Sequence, residues 1–229
     1  MDEYTVPSGG FRNFDKFFTR KLKPGSRKIN AARGALLSPV DARVDQSGKI
    51  KKGQLIQAKG ISYSIDSLIP SDTAKRFQNG SFVTLYLSPA DYHRIHSPVS
   101  GKITGFFHIP GKLYTVQEFM VQGLEGLFSI NERLISYIQT ANGLAAVCKV
   151  GAMNVGRISL SYDTAITNKF IRSKKEVFFD KPVKVKSGDE IGIFHLGSTI
   201  ILLFEKGMAR LEIKSGERVR FGQRIGQMP

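Results

Sequence analysis

The 229-residue sequence predicts one mostly-β domain, a β-rich α+β fold entered through a short amphipathic helix. Three observations predict it. Apolar and polar residues alternate with period two along Arg157-Ile158-Ser159-Leu160-Ser161-Tyr162, the pattern of a half-buried strand. Phe82 to Leu87 and Lys102 to Ile109 are rich in β-branched and aromatic residues, which pack well on a pleated surface. The shape apolar-Lys-x-Gly-x-x-apolar occurs at Ile50–Ile56, Val185–Ile191 and Ile213–Val219, and a glycine at a fixed offset between apolar runs marks a tight turn.

Each element follows from its own pattern. Over residues 11–22, Phe11, Phe14, Phe17 and Phe18 fall within about 120° of a helical wheel, opposite Arg12, Lys16 and Arg20. Gly9-Gly10 and Pro24-Gly25 bracket this helix. Two readings stand: its Phe face docks on the core, or it lies in a membrane interface. Strands follow at 82–87, 102–109, 145–150 and 157–162, with helical patches near 73–78 and 131–138. The run Ile200-Ile201-Leu202-Leu203-Phe204 reads as a central strand buried on both faces. Phe221-Gly222-Gln223-Arg224-Ile225-Gly226 adds a further turn. Repeated hairpins of this kind resemble the barrel-sandwich folds of carrier domains, a likeness at the level of fold only. No low-complexity linker divides the chain, so residues 1–30 form an amphipathic N-terminal segment and 31–229 one domain.

Charge bounds the partners. Lys and Arg number 34 against 19 Asp and Glu, a formal net charge of +15. Such a surface attracts nucleic acid, acidic lipid or an anionic substrate. The aromatics do not interleave with basic residues as in RNA-binding motifs, so no nucleic-acid partner is expected. No stretch approaches the roughly 18 apolar residues of a membrane span, and no apolar signal core opens the chain. Membrane contact would therefore be peripheral. The single cysteine, Cys148, reads as a buried structural thiol and suits a reducing compartment.

The chemistry-bearing residues sit in three blocks: Ser38-Pro39-Val40-Asp41-Ala42, Tyr92-His93-Arg94-Ile95-His96-Ser97-Pro98-Val99, and Leu196-Gly197-Ser198-Thr199. An Asp, a His and a Ser can together activate a hydroxyl, in any chain order. The Ser198 hydroxyl needs a base within reach, and Gly197 can adopt a backbone that leaves its carbonyl open. His96 is suited to be that base near neutral pH, with Asp41 accepting from its other ring nitrogen. The same residues also read as turn and core groups. His93 and His96 point to opposite faces if their segment is a strand, and to one face if it is a helical turn.

With Phe17-Phe18-Thr19-Arg20, Leu87-Ser88-Pro89, Ile109-Pro110-Gly111, Asn131-Glu132-Arg133 and Val150-Gly151-Ala152, these blocks run over nearly the whole chain. In that order and spacing they make it resemble the phosphatidylserine decarboxylases, pyruvoyl-dependent enzymes that process themselves. The resemblance implies cleavage between Gly197 and Ser198 into a β chain of 1–197 and an α chain of 198–229. It implies that Ser198 becomes a covalent pyruvoyl group, which forms a Schiff base with phosphatidylserine, releases carbon dioxide and yields phosphatidylethanolamine. Catalytic roles are then expected for Asp41, His96 and Ser198, with His93 handling a proton in decarboxylation. The expected partners are a phospholipid substrate, the acidic cytoplasmic face of a membrane met through Phe14, Phe17, Phe18 and Arg20, and a second copy in a homodimer. Lys16, Lys21, Lys23, Arg27 and Lys28 would add to the basic face. Deleting residues 1–20 is expected to weaken liposome binding more than it slows self-cleavage.

Three other readings compete. A relative could decarboxylate a soluble amino acid. The hairpins could belong to a non-catalytic binding module, although Lys206-Gly207-Met208 is not a carrier attachment site. His93, His96, His108, His195 and Asp41 could hold zinc in a hydrolase, although no His-Glu-x-x-His is present and no metal is expected.

Overall fold

A computed structural model describes residues 1–29, 32–153, 157–168, 173–195 and 199–229. Leu196, Gly197 and Ser198 lie outside the described residues. The chain opens with helix α1 (Phe14–Phe18), then β1 (Ala35–Leu37), β2 (Ala42–Lys49), β3 (Gln54–Ala58), β4 (Ile61–Ser64) and α2 (Ile65–Leu68). A 3-10 turn over Asp72–Phe77 leads to β5 (Ser81–Tyr86), β6 (Arg94–His96), β7 (Gly101–Ile109), α3 (Glu118–Gly123) and α4 (Leu127–Ile130). Then follow β8 (Arg133–Thr140), β9 (Gly143–Val150), β10 (Ile158–Leu160), β11 (Lys175–Val185) and β12 (Glu190–Phe194). The chain ends with β13 (Thr199–Phe204), β14 (Arg210–Leu211), β15 (Arg218–Val219) and β16 (Arg224–Gln227).

The fold is mostly β, as expected, without a closed barrel. An eight-stranded antiparallel sheet runs β11-β7-β8-β9-β13-β5-β2-β15. β13 lies between β9 and β5, and all six of its residues are buried, which is why the run after Ser198 is apolar without alternation. A second sheet, β10-β12-β6, packs against the face of β9. Gly192 of β12 permits this approach: a Cβ there would lie 2.7 Å from Ser159 O and 3.5 Å from Cε of Lys149. A third sheet, β1-β16-β14, folds the C-terminal strand onto Ala35–Leu37, and β3 pairs with β4.

The three Lys-x-Gly repeats are tight turns, with Gly53, Gly188 and Gly216 at φ of +72°, +89° and +91°. None closes a hairpin within one sheet. Each passes the chain to a different sheet: β2 to β3, β11 to β12, and β14 to β15. The local glycine signal specifies the reversal and says nothing of which strands then pair.

Two predicted helices change. Residues 131–138 were expected to be helical, but α4 ends at Ile130 and Arg133–Thr140 is strand β8. Leu134, Ile135 and Ile138 mimic helical spacing, yet the first six residues of β8 are all buried, so both faces of a central strand carry apolar groups. The N-terminal helix is only Phe14–Phe18, not 11–22. The Asn13 side chain caps it by accepting from Lys16 N–H at 3.0 Å, and the Thr19 hydroxyl closes it on Asp15 O.

Candidate active site

Proline and serine shape the first block. Ser38 Oγ donates to Val40 O at 2.7 Å, and Ser38 N–H and C=O pair with Gln223 O and Gly222 N–H. This seats Asp41 beside the turn at residues 220–223. Its Oδ1 accepts the Phe221 N–H at 2.8 Å, and Arg27 grips both oxygens, at 2.9 and 3.3 Å. Arg27 also reaches Glu3 at 2.9 Å.

β6 carries His96, whose backbone N–H donates to Pro39 O. Its Nδ1 lies 2.8 Å from Gly188 O, and its Nε2 3.1 Å from the Tyr92 hydroxyl. A carbonyl only accepts, so Nδ1 bears the proton and Nε2 is the basic nitrogen. The ring stacks on Phe221 at 3.7 Å. Burial pushes its pKa down to about 4, against the opposing pull of the Gly188 carbonyl. Burial also raises the Tyr92 phenol, so it stays a donor.

The expected Asp41–His96 hydrogen bond is replaced. Gly188, at positive φ in the turn of residues 186–189, presents the carbonyl that sets the tautomer. Asp41 acts one residue further out: it holds Phe221, and Phe221 packs on His96.

His93 is fully buried. Its Nδ1 donates to Asp91 O at 2.8 Å, while Nε2 has no partner among the described residues. Phe18 of α1 covers the ring at 3.8 Å, and burial depresses its pKa to about 3. His93 O accepts from Phe194 N–H at 3.0 Å, at the end of β12. One residue later, after His195, the chain enters Leu196-Gly197-Ser198, and it returns at Thr199 between Tyr86 and Val150. The geometry of Gly197 and Ser198 themselves lies outside the described residues. The near flank is tied to the segment that carries the two histidines, and the far flank starts between β5 and β9.

Such a site holds two neutral buried imidazoles, one with an unpartnered basic nitrogen among the described residues and one whose basic nitrogen is capped by the Tyr92 hydroxyl, and it can activate a hydroxyl and shuttle protons. Residues 14–227 match the family profile described as phosphatidylserine decarboxylase. A phosphatidylserine decarboxylase proenzyme of Anaeromyxobacter sp. (strain K) is 44% identical over 221 residues, covering 94% of this chain and 78% of the relative. The proenzyme of Myxococcus xanthus (strain DK1622) is 44% identical over 229 residues, covering 99% and 81%. That of Brevibacillus brevis (strain 47) is 40% identical over 225 residues, covering 96% and 80%. The chain belongs to the phosphatidylserine decarboxylase family.

Family membership and geometry sort the remaining candidates. Of the N-terminal residues expected at a membrane, Phe14 is 60% exposed, Phe17 half-buried and Phe18 buried over His93. Arg20 is a correction. It is buried, its guanidinium donating to Phe17 O and Ala90 O and lying 4.2 Å over the Tyr4 ring. Arg27 is likewise spent on Asp41 rather than turned outward. The zinc arrangement is overturned: among the described residues no three His, Cys, Asp or Glu side chains converge. His108 instead pairs with Glu132 at 2.8 Å. Cys148 is buried, its thiol pushed up to about 12, as a structural cysteine should be. Sequence reasoning missed the Gly188 carbonyl and the Arg27 clamp. The repeated Lys-x-Gly turn was the available signal for the first; Arg27 looked like one more basic residue in a basic segment.

Proposed function

We propose that this chain is a phosphatidylserine decarboxylase that cuts its own Gly197–Ser198 bond and converts Ser198 into a pyruvoyl group. The observation that carries the reading is that two buried, neutral histidines lie along β12, the strand that leads into Leu196-Gly197-Ser198: His93 bonds its last residue, Phe194, and His96 bonds Gly188 in the turn before it. In self-processing, the Ser198 hydroxyl passes its proton to Nε2 of His96 while its oxygen bonds to the Gly197 carbonyl carbon. The C–N bond breaks, the proton moves to the leaving nitrogen, and an ester joins the two halves. Loss of the Ser198 Cα proton then expels the Gly197 carboxylate and leaves dehydroalanine, which takes up water and releases ammonia. Tyr92 caps Nε2 of His96 and must yield it as the base acts. Asp41 keeps the Phe221 wall in place.

The pyruvoyl carbonyl supplies an electron sink for the pair left behind when carbon dioxide departs. The surroundings suit such a group, because Nε2 of His93 is buried, unprotonated and without a partner among the described residues. There His93 holds and returns the proton that the product carbon needs. Cleavage yields a β chain of 1–197 and an α chain of 198–229, and the latter stays seated: β13 pairs with β9 and β5, β15 with β2, and β16 with β1.

The substrate is a phospholipid met at an acidic membrane on its cytoplasmic face, by peripheral contact. No helix among the described residues is long and apolar enough to cross a membrane. A groove of about 710 Å³ runs between residues 5–12 and 16–21, and its exposed Arg12, Lys16 and Lys21 offer cations to an anionic headgroup.

Intact mass under denaturing conditions, beside a Ser198→Ala control, tests this reading. Two pieces split after Gly197, co-eluting natively and with the smaller blocked at its N-terminus, are expected of the wild type alone. An uncut wild-type chain would remove the cofactor, and with it the decarboxylase activity. Release of carbon dioxide from serine but not from phosphatidylserine would turn the assignment to a soluble substrate.

A further inference from the structure

Asp15, Arg157, Ser159 and His195 form a second polar cluster, apart from His93 and His96. His195 Nδ1 is 2.8 Å from Asp15 Oδ1, and Nε2 is 3.1 Å from Ser159 Oγ. A carboxylate only accepts, so Nδ1 bears the proton and Nε2 accepts the Ser159 hydroxyl. Arg157 Nη2 lies 3.5 Å from Asp15 Oδ1, to which it is ion-paired; with the Nδ1 proton directed at the carboxylate, its 2.9 Å approach to Nδ1 is a close contact and not a hydrogen bond. The backbone is held too, since His195 N–H donates to Arg157 O at 3.0 Å. His195 is the last described residue before Leu196-Gly197-Ser198. Asp15 belongs to α1, 180 positions away in the chain.

α1 meets the site at two other points. Phe18 lies 3.8 Å from the His93 ring, and Thr19 O accepts from Arg94 Nε at 2.9 Å. This helix and its C-cap Thr19 thus touch three residues on both sides of the β6–β12 pair. We propose that Asp15 is a positioning residue for self-cleavage: its carboxylate fixes the His195 imidazole and, through it, the backbone entering the Gly197–Ser198 bond. This rests on the reading that Gly197–Ser198 is the bond cut. The pair is partly exposed, with side chains 36% and 18% accessible, so it adds little to global stability. Its directional hold matters more, because a nucleophile misplaced by about 1 Å can lose about 10²-fold in rate.

The test follows self-cleavage by pulse-chase in cell-free translation for wild type, Asp15→Asn, Asp15→Glu, His195→Asn and the double variant Asp15→Asn/His195→Asn. Melting is measured in parallel on each variant in a Ser198→Ala background. Asp15→Asn should slow cleavage about tenfold or more, Asp15→Glu should recover much of the rate, and the double variant should be no slower than the slower single. Melting should move by less than about 3 °C. A wild-type rate in Asp15→Asn would overturn the proposal. So would a slow rate that Asp15→Glu does not rescue and that tracks a large loss of melting temperature, since that marks a purely structural residue. Cutting of the Ser198→Ala chain at the same bond would instead refute the processing reading, whatever Asp15 does.

Discussion

At the residue scale, the two site histidines are held neutral by burial rather than by a counter-charge. His93 and His96 have folded pKa values near 3 and 4, below the ordinary 6.5. A depressed folded pKa means that the unfolded chain binds more protons in the window between. The stability these residues permit is therefore complete above pH 6.5 and is lost as pH falls towards 4. On acidification to pH 5 the unfolded state takes up about two more protons than the folded one from these groups alone. The melting temperature of the uncut Ser198→Ala protein should accordingly fall steeply between pH 6.5 and 4, and a His93→Gln variant should show a shallower fall. Equal slopes in both proteins would mean that His93 is solvated or already charged in the fold. The same neutrality suits the base role proposed for His96, since a protonated imidazole could not receive the Ser198 proton.

At the scale of elements, Lys149 is an anomaly that the function does not explain. It lies in β9, fully buried, with Nζ donating to Ser136 Oγ at 2.6 Å and Val147 O at 3.2 Å. No carboxylate faces it among the described residues, and burial pushes its pKa down to about 7. The unfolded chain keeps its lysine charged up to about pH 10.4, so stability should rise as pH climbs from 7 towards 10. Lys149→Met removes a buried amine of similar length, while Ser136 and Tyr162 retain each other. It should raise the melting temperature at pH 7 by about 3 °C or more and flatten the alkaline rise, which differential scanning fluorimetry across pH would detect. A lower melting temperature at both pH values would show that the amine's hydrogen bonds outweigh its desolvation. The sequence reading handled such elements unevenly. β5, β7, β9 and β13 were legible because strand formers ran unbroken between turn residues. β8 was not, because a strand buried on both faces loses its alternation and can imitate a helix. The candidate site was legible as residue types in three blocks, but its wiring was not. Which carbonyl meets His96 depends on a turn 92 residues away, and local sequence carries no record of that meeting.

At the scale of the whole molecule, the net charge of +15 and the placement of the N-terminal segment decide how a membrane would be met. The sequence left the Phe stripe between the core and lipid, with a truncation of residues 1–20 as the test of the lipid role. The fold divides that stripe: Phe18 and Arg20 serve the interior, while Met1, Val6 and Phe14 remain exposed beside Arg12, Lys16 and Lys21. Truncation would uncover His93 and remove Asp15, so it would confuse docking with chemistry. Charge reversal at the rim avoids this, because Lys16 and Lys21 touch neither His93, His96 nor His195 through their side chains. Each basic residue near an anionic surface contributes about 1 kcal/mol, and that attraction is screened by salt. Lys16→Glu/Lys21→Glu should therefore weaken binding to vesicles of phosphatidylcholine with phosphatidylglycerol about tenfold or more, while self-cleavage proceeds at its normal rate. Wild-type binding should weaken as salt rises, and the variant's dependence should be flatter. If the variant sediments with vesicles as well as wild type at every salt concentration, this face does not dock, and the basic surface elsewhere on the sheet edges must carry the contact.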